Sequence, residues 1–268
     1  MVTKPARSAP VASNEPETPP PPPLASVKLH TDLIALSIRL GQPMLVAAFF
    51  IYNFSNVIAD PVEGLQKILA VVAVAQVVYV LACVPEVGTK YKTGAATKKK
   101  MERRSSIQRS VFTAILSLIL SGLITPFAHL VLILFGGPFL NLVKPTFLCA
   151  AHFSLVCMFP LFYAHGVESS TWLAIGSLGQ PIDEPYGALC GGLLGAWLGA
   201  VPIPLDWDRE WQKWPVTIVC GIYMGAALGR LLGGSLMFGR RMVELDVPVK
   251  EELESERAFK TMDSKLMS

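Results

Sequence analysis

The sequence predicts an all-α membrane bundle of about six transmembrane helices with both termini cytosolic, and three observations carry that prediction. Hydrophobic residues make up 52% of the 268 and charged residues only 16%, with a mean hydropathy of +0.48; about a quarter of an average soluble domain is charged. The apolar residues fall in runs long enough to cross a hydrocarbon core, which takes roughly 20 residues each. Between the second and third runs, Pro85 to Ser110 holds eight Lys or Arg against Glu86 and Glu102, an excess that marks a cytosolic loop. With short loops elsewhere, no stretch remains for a separate soluble catalytic domain. The net charge of +3 is small and does not point to nucleic acid.

In chain order, residues 1–32 are polar and carry eight prolines, five of them consecutive at Pro19 to Pro23. Such a segment is expected to be disordered or polyproline II, a spacer more readily than a docking motif. It has no basic region followed by an apolar core and a cleavage site, so the first membrane helix is expected to target the chain. The transmembrane domain is assigned to 33–239. Helix one is expected over Leu33 to Ile58, with Arg39 reaching back to the headgroups, and Asn53, in the sequon Asn53-Phe54-Ser55, hidden inside it. Asp60, Pro61 and Glu63 make a tight connection to helix two, Leu65 to Val84, which leads into the basic loop 85–110. The third run, Val111 to Phe135, contains Pro126 and His129, which mark a kink. Gly136, Gly137 and Pro138 then turn the chain. The fourth, Leu142 to Tyr163, carries Lys144 and Pro160, and runs three and four read either as regular spans or as a broken, re-entrant pair. A polar segment follows, with a short interfacial helix around Thr171 to Leu178. Helix five covers Tyr186 to Val201 and helix six Val216 to Phe238, and 240–268 form a charged cytosolic tail.

Two features stand out. Gly187, Gly191, Gly195 and Gly199 in helix five, and Gly221, Gly225, Gly229 and Gly233 in helix six, place glycine at every fourth position. Small residues at that spacing let helix backbones approach closely in lipid. The spacing points to partner packing but leaves open whether the two grooves meet each other or receive a helix of another protein, because one hairpin can use both arrangements. Between the helices lies the loop 202–215, which faces the lumen in this topology. It contains Pro202, Pro204, Asp206, Trp207, Asp208, Arg209, Trp211, Trp214 and Pro215. If helical, it sets its three indoles on one face, and an aromatic belt at the headgroups accounts for them as well. Arg230 reads as mid-helix, where a charge costs roughly 2.5 to 3.5 kcal/mol. It is expected to face protein, in an internal ion pair, toward the cytosolic headgroups, or against a lipid phosphate or partner carboxylate.

The cysteines Cys83, Cys149, Cys157, Cys190 and Cys220 all lie in apolar runs without CxxC pairing, and the histidines His30, His129, His152 and His165 are scattered. No metal, cofactor or catalytic residue is expected from these. His152, near Cys149 and Cys157, reads as polar helix packing.

The run from Gly195 through Pro202, Pro204, Asp206-Trp207-Asp208-Arg209-Glu210-Trp211 and Trp214-Pro215, followed by the glycine-laddered last helix, resembles the PIG-F family of glycosylphosphatidylinositol (GPI) anchor biosynthesis proteins, in a fungal-type form. Glu210 departs from the proline usual after the arginine. The resemblance implies a multi-pass endoplasmic reticulum membrane protein without catalysis of its own. It would be an accessory subunit that stabilises the large ethanolamine-phosphate transferases while they add phosphoethanolamine to mannoses of the GPI precursor. The alternative is a membrane enzyme or lipid-handling protein acting directly on the precursor, with Asp206, Asp208 and Arg230 as acid, base or phosphate contacts. A channel or transporter is disfavoured, since symmetric halves with discontinuous helices are not evident.

Overall fold

The computed structural model describes residues 25–88, 101–205 and 207–243. Most of the proline-rich and C-terminal tails, the centre of the basic loop and Asp206 lie outside the described residues, and with them the expectations made for those stretches. Within them the regular structure is helical. In order come α1 (Leu33–Tyr52), α2 (Phe54–Ala59), α3 (Pro61–Cys83), α4 (Met101–Leu134), α5 (Val143–Phe153), a π turn (Ser154–Met158) and α6 (Phe159–His165). After these follow α7 (Ser169–Gly176), α8 (Glu184–Ala200), a 3-10 turn (Glu210–Gln212) and α9 (Val216–Gly233).

Among the described residues, five segments are long and apolar enough to cross a membrane: Leu33–Tyr52, Pro61–Cys83, Ile107–Leu134, Val143–His165 and Val216–Gly233. The sixth expected crossing, α8, has 17 residues, about 25 Å of helix, at the short end of what spans a bilayer. It lies antiparallel along α9 for its whole length, as the facing pairs below establish.

Local sequence explains the boundaries. The expected first helix breaks at Asn53, whose Nδ2 donates to the carbonyl of Phe49 at 2.9 Å, so α1 and α2 are separate pieces. Asp60 caps α3, its Oδ1 accepting from the backbone of Val62 at 2.9 Å and Glu63 at 3.2 Å, and Pro61 stands at the first turn, where its missing N–H is not needed. At the far end of α4, Gly136 takes a φ of +99°, a left-handed closure that glycine adopts freely.

The fourth apolar run, Val143–His165, is long enough for a full crossing and is the most buried of the five. It is the hub, touching α3, α4, α8 and α9. Its π turn precedes Pro160, whose ring would clash with the carbonyl one turn back in a regular helix; widening the turn relieves that clash. The displaced carbonyl of Ser154 accepts the hydroxyl of Ser121 from α4 at 2.8 Å.

Both tails meet at one end of the bundle. Before α1, the backbone of Val27 donates to Asp183 Oδ2 at 2.9 Å and that of His30 to the carbonyl of Cys83 at 2.9 Å. After α9, Gly239 donates to the carbonyl of Ile182 at 2.7 Å and Val243 to that of Leu178 at 3.2 Å. This tail end also holds the α3–α4 connection, where Arg109 lies 3.7 Å from Glu86. The opposite, loop end holds the 202–215 segment and the α4–α5 turn, joined by Trp214 Nε1 donating to Thr146 Oγ1 at 2.8 Å.

Candidate functional site: the glycine hairpin, the tryptophan loop and the buried arginine

The two glycine ladders face each other. A Cβ added at Gly195 would stand 2.0 Å from the carbonyl oxygen of Gly221, and one at Gly221 would stand 2.0 Å from that of Gly195. Gly191 and Gly225 pair reciprocally at 2.1 Å, and Gly187 and Gly229 at 2.3 and 2.0 Å. The register ends with Gly199 against the carbonyl of Thr217 at 2.5 Å and Gly233 against that of Asp183 at 2.4 Å. Real Cβ atoms do not come this close to backbone, so each rung is a place where alanine does not fit. The two grooves meet each other: the eight glycines hold the chain's own hairpin.

Pairing does not hide the ladders completely. Gly191, Gly221, Gly225 and Gly229 stay partly exposed and floor an apolar groove of about 650 Å³ that follows the hairpin outside the bundle. Leu194 and Leu198 form one rim, Met224 and Leu228 the other. At the loop end the groove reaches Pro202 and Trp211.

The 202–215 segment is not a helix beyond its single 3-10 turn, so its three indoles do not share a face. Prolines at 202, 204 and 215 withhold backbone donors, and Asp208 adopts a left-handed φ of +47°. Trp207 and Trp211 pair with ring centroids 5.9 Å apart. Trp214 instead turns into the bundle to Thr146, beneath Gly137, where a Cβ would come within 3.2 Å of its ring. Gln212, which drew no attention in the sequence, ties the loop together: its Nε2 donates to the carbonyls of Pro202 and Leu205 at 2.8 and 2.9 Å, and its Oε1 accepts from the backbone of Arg209 at 2.8 Å. Glu210, the departure from the family pattern, forms an ion pair with Lys213. Asp208 and Arg209 are exposed.

Arg230 lies in the last turn of α9 rather than mid-helix, because the helix ends at Gly233 and not at Phe238. A cation there complements the helix dipole. It is 7% exposed and bonded within the protein: Nη2 and Nε reach Glu184 Oε1 at 3.2 and 3.4 Å, Nη1 donates to Gln42 Oε1 at 2.7 Å, and the guanidinium carbon sits 3.9 Å over the Tyr79 ring. Tyr79 donates its hydroxyl to the same Glu184 oxygen at 2.9 Å. Arg39 was expected to reach the headgroups; instead it turns inward, its Nη2 2.7 Å from Glu184 Oε2. One carboxylate from α8 thus gathers two arginines and a tyrosine from α1, α3 and α9. Glu184 was missed in the sequence, where a carboxylate at a helix start reads as loop.

Asp208 and Arg230 do not form one site. Roughly 22 Å of α9 separates the ends on which they lie, so these two of the three contacts suggested for a direct enzyme are not brought together; the third, Asp206, lies outside the described residues. His152 is fixed by packing, Nδ1 2.8 Å from the Tyr223 hydroxyl and Nε2 3.1 Å from the carbonyl of Leu65. Among the cysteines, the Cys157 sulfur lies where a side chain at Gly192 would sit, 2.4 Å from that position.

Together these features define a class, a membrane helix bundle whose last hairpin is closed by reciprocal glycines and a tryptophan loop. The model of the GPI biosynthesis protein family Pig-F matches residues 41–234, a span that runs from within α1 to just past the end of α9. The chain belongs to the PIG-F family. It is 44% identical over 223 residues to glycosylphosphatidylinositol anchor biosynthesis protein 11 of Neurospora crassa, covering 81% of each chain. It is 28% identical over 218 residues to the mouse protein described as GPI ethanolamine phosphate transferase, stabilizing subunit, covering 80% of this chain and 92% of the mouse one. The human protein of the same description is 31% identical over 144 residues, 52% of this chain and 65% of its own. No solved structure gives a significant match.

Proposed function

We propose that this chain is a non-catalytic subunit of the endoplasmic reticulum membrane that stabilises a GPI ethanolamine-phosphate transferase, so that phosphoethanolamine is added to mannoses of the GPI precursor by the partner. The tail end, which holds Arg240, Arg241 and the start of the basic 85–110 sequence, faces the cytosol, as the positive-inside rule requires. The 202–215 loop then faces the lumen, within reach of a lumenal catalytic domain. Residues 33–239 work as one membrane domain between two cytosolic tails.

The observation that carries this reading is the open groove along the α8–α9 hairpin. A floor of partly exposed glycines between leucine and methionine rims is a surface on which a transmembrane helix of the partner packs closely, and the names of the mouse and human relatives describe a stabilising subunit. The groove leads toward Pro202 and Trp211, so a helix seated there emerges beside the lumenal loop. Affinity capture of the tagged full chain in mild detergent tests the assignment. A large ethanolamine-phosphate transferase is expected to co-purify, and to fall in abundance when the chain is depleted. Unchanged transferase levels after depletion contradict it.

A further inference from the structure

A second groove, of about 430 Å³, opens between α1, α3 and α9. Its walls are apolar, with Val46, Phe50 and Phe54 on one side and Tyr223 and Met224 on the other; toward the tail end it closes on Gln42, Gln76 and Arg230. The chemistry of that polar end is incomplete in two ways. Arg39 and Arg230 bring two positive charges into direct contact with a single carboxylate, Glu184. The nearby Asp183 is occupied elsewhere: Oδ2 accepts from the backbone of Val27 and lies 2.9 Å from His165, and Oδ1 accepts from the backbone of Tyr186. A guanidinium has five N–H donors, and the bonds of Arg230 to Glu184 and Gln42 leave two of them without a partner among the described residues. Gln76 is 2% exposed, and its Oε1 has no hydrogen-bond partner among the described residues. A buried amide left unsatisfied is costly, on the order of 1–3 kcal/mol.

From this geometry we infer that the groove is a binding site for an anionic glycerophospholipid of the tail-side leaflet. The phosphate sits against Arg230, and a headgroup hydroxyl donates to the orphaned Oε1 of Gln76. One acyl chain runs down the slot between Phe50 and Tyr223 toward Phe54. A positively charged polar end continuous with an apolar slot matches an anionic amphiphile, and the cytosolic leaflet, which the tail end faces, is the one enriched in anionic lipid. Its polar end lies at the opposite end of the bundle from the 202–215 loop, and its apolar wall shares Met224 with the rim of the partner groove.

The test uses the purified full chain in mild detergent. Retained lipid is counted by native mass spectrometry and thermal unfolding is followed with dioleoyl-phosphatidylinositol, dioleoyl-phosphatidylcholine or inorganic phosphate added. Phosphatidylinositol is expected to remain bound and raise the unfolding temperature, phosphatidylcholine to bind at least about tenfold more weakly, and inorganic phosphate to have no effect. Gln76→Leu, whose Oε1 has no hydrogen bond to lose among the described residues, is expected to weaken phosphatidylinositol binding about threefold to tenfold, the value of one neutral hydrogen bond. Ala47→Trp, which fills the slot without touching the polar end, is expected to do at least as much. Equal binding of the two lipids, stabilisation by phosphate alone, or undiminished phosphatidylinositol binding in both variants overturns the inference.

Discussion

Glu184 is the residue on which the tail end of the bundle converges. It accepts from Arg39, Tyr79 and Arg230 while only 4% exposed. Removing one member of a buried ion pair costs about 3–5 kcal/mol, because the remaining charge is left uncompensated. Glu184→Ala strands two guanidinium groups, and its unfolding temperature in detergent is expected to fall accordingly; adding Arg230→Leu should recover part of the loss, a coupling that a double-mutant cycle reads directly. At the loop end, Trp214→Phe and Thr146→Val each remove the same hydrogen bond. Each is expected to cost about 0.5–1.5 kcal/mol, and the double variant no more than the larger single one. Strictly additive losses would show that the bond contributes nothing. Neither cluster was legible in the sequence. Glu184 and Arg39 are 145 positions apart, and the arginines announced themselves only as charges inside apolar runs. The tryptophans were visible, but their i, i+4, i+7 spacing suggested a shared face that the prolines around them forbid.

Among the elements, the hairpin of α8 and α9 shows what periodicity can and cannot reveal. A glycine at every fourth position identifies the smooth face of a helix, which is a property of one chain segment. What lies against that face is a property of the fold, and here it is the other ladder. Glycine-to-leucine changes in the ladders therefore disrupt the hairpin itself, and lost partner binding in such variants does not isolate a docking surface. Even the smallest side chain is excluded, so Gly195→Ala and Gly225→Ala are expected to lower stability sharply. Gly41→Ala and Gly122→Ala, whose added Cβ would meet nothing within 4 Å, are expected to be neutral or stabilising by up to about 1 kcal/mol through helix propensity. Thermal unfolding of the four variants separates the two classes, and equal tolerance in both would contradict the interlocked register. The apolar crossings and the short helix α7 were readable from hydropathy and polar punctuation. The break at Asn53 and the π turn before Pro160 were not, since each depends on a local hydrogen-bond choice that leaves the apolar run unbroken.

For the whole molecule, α5, the π turn and α6 form a buried hub around which the outer helices gather. The hairpin hangs on one side of that hub with its groove turned outward. Its rim residues Leu194 and Met224 are 64% and 67% exposed, so bulk added there leaves the chain's own packing intact while obstructing a partner helix. Val74 of α3, 66% exposed and away from the groove, supplies the matched control. The most direct measurement is the amount of ethanolamine-phosphate transferase captured with the full chain carrying Leu194→Trp and Met224→Trp, compared with Val74→Trp and the unaltered chain at equal expression. At least a tenfold loss of transferase confined to the rim variant is the predicted result. Full capture by the rim variant, or an equal loss from Val74→Trp, would contradict the assignment of the groove as the surface that holds the partner.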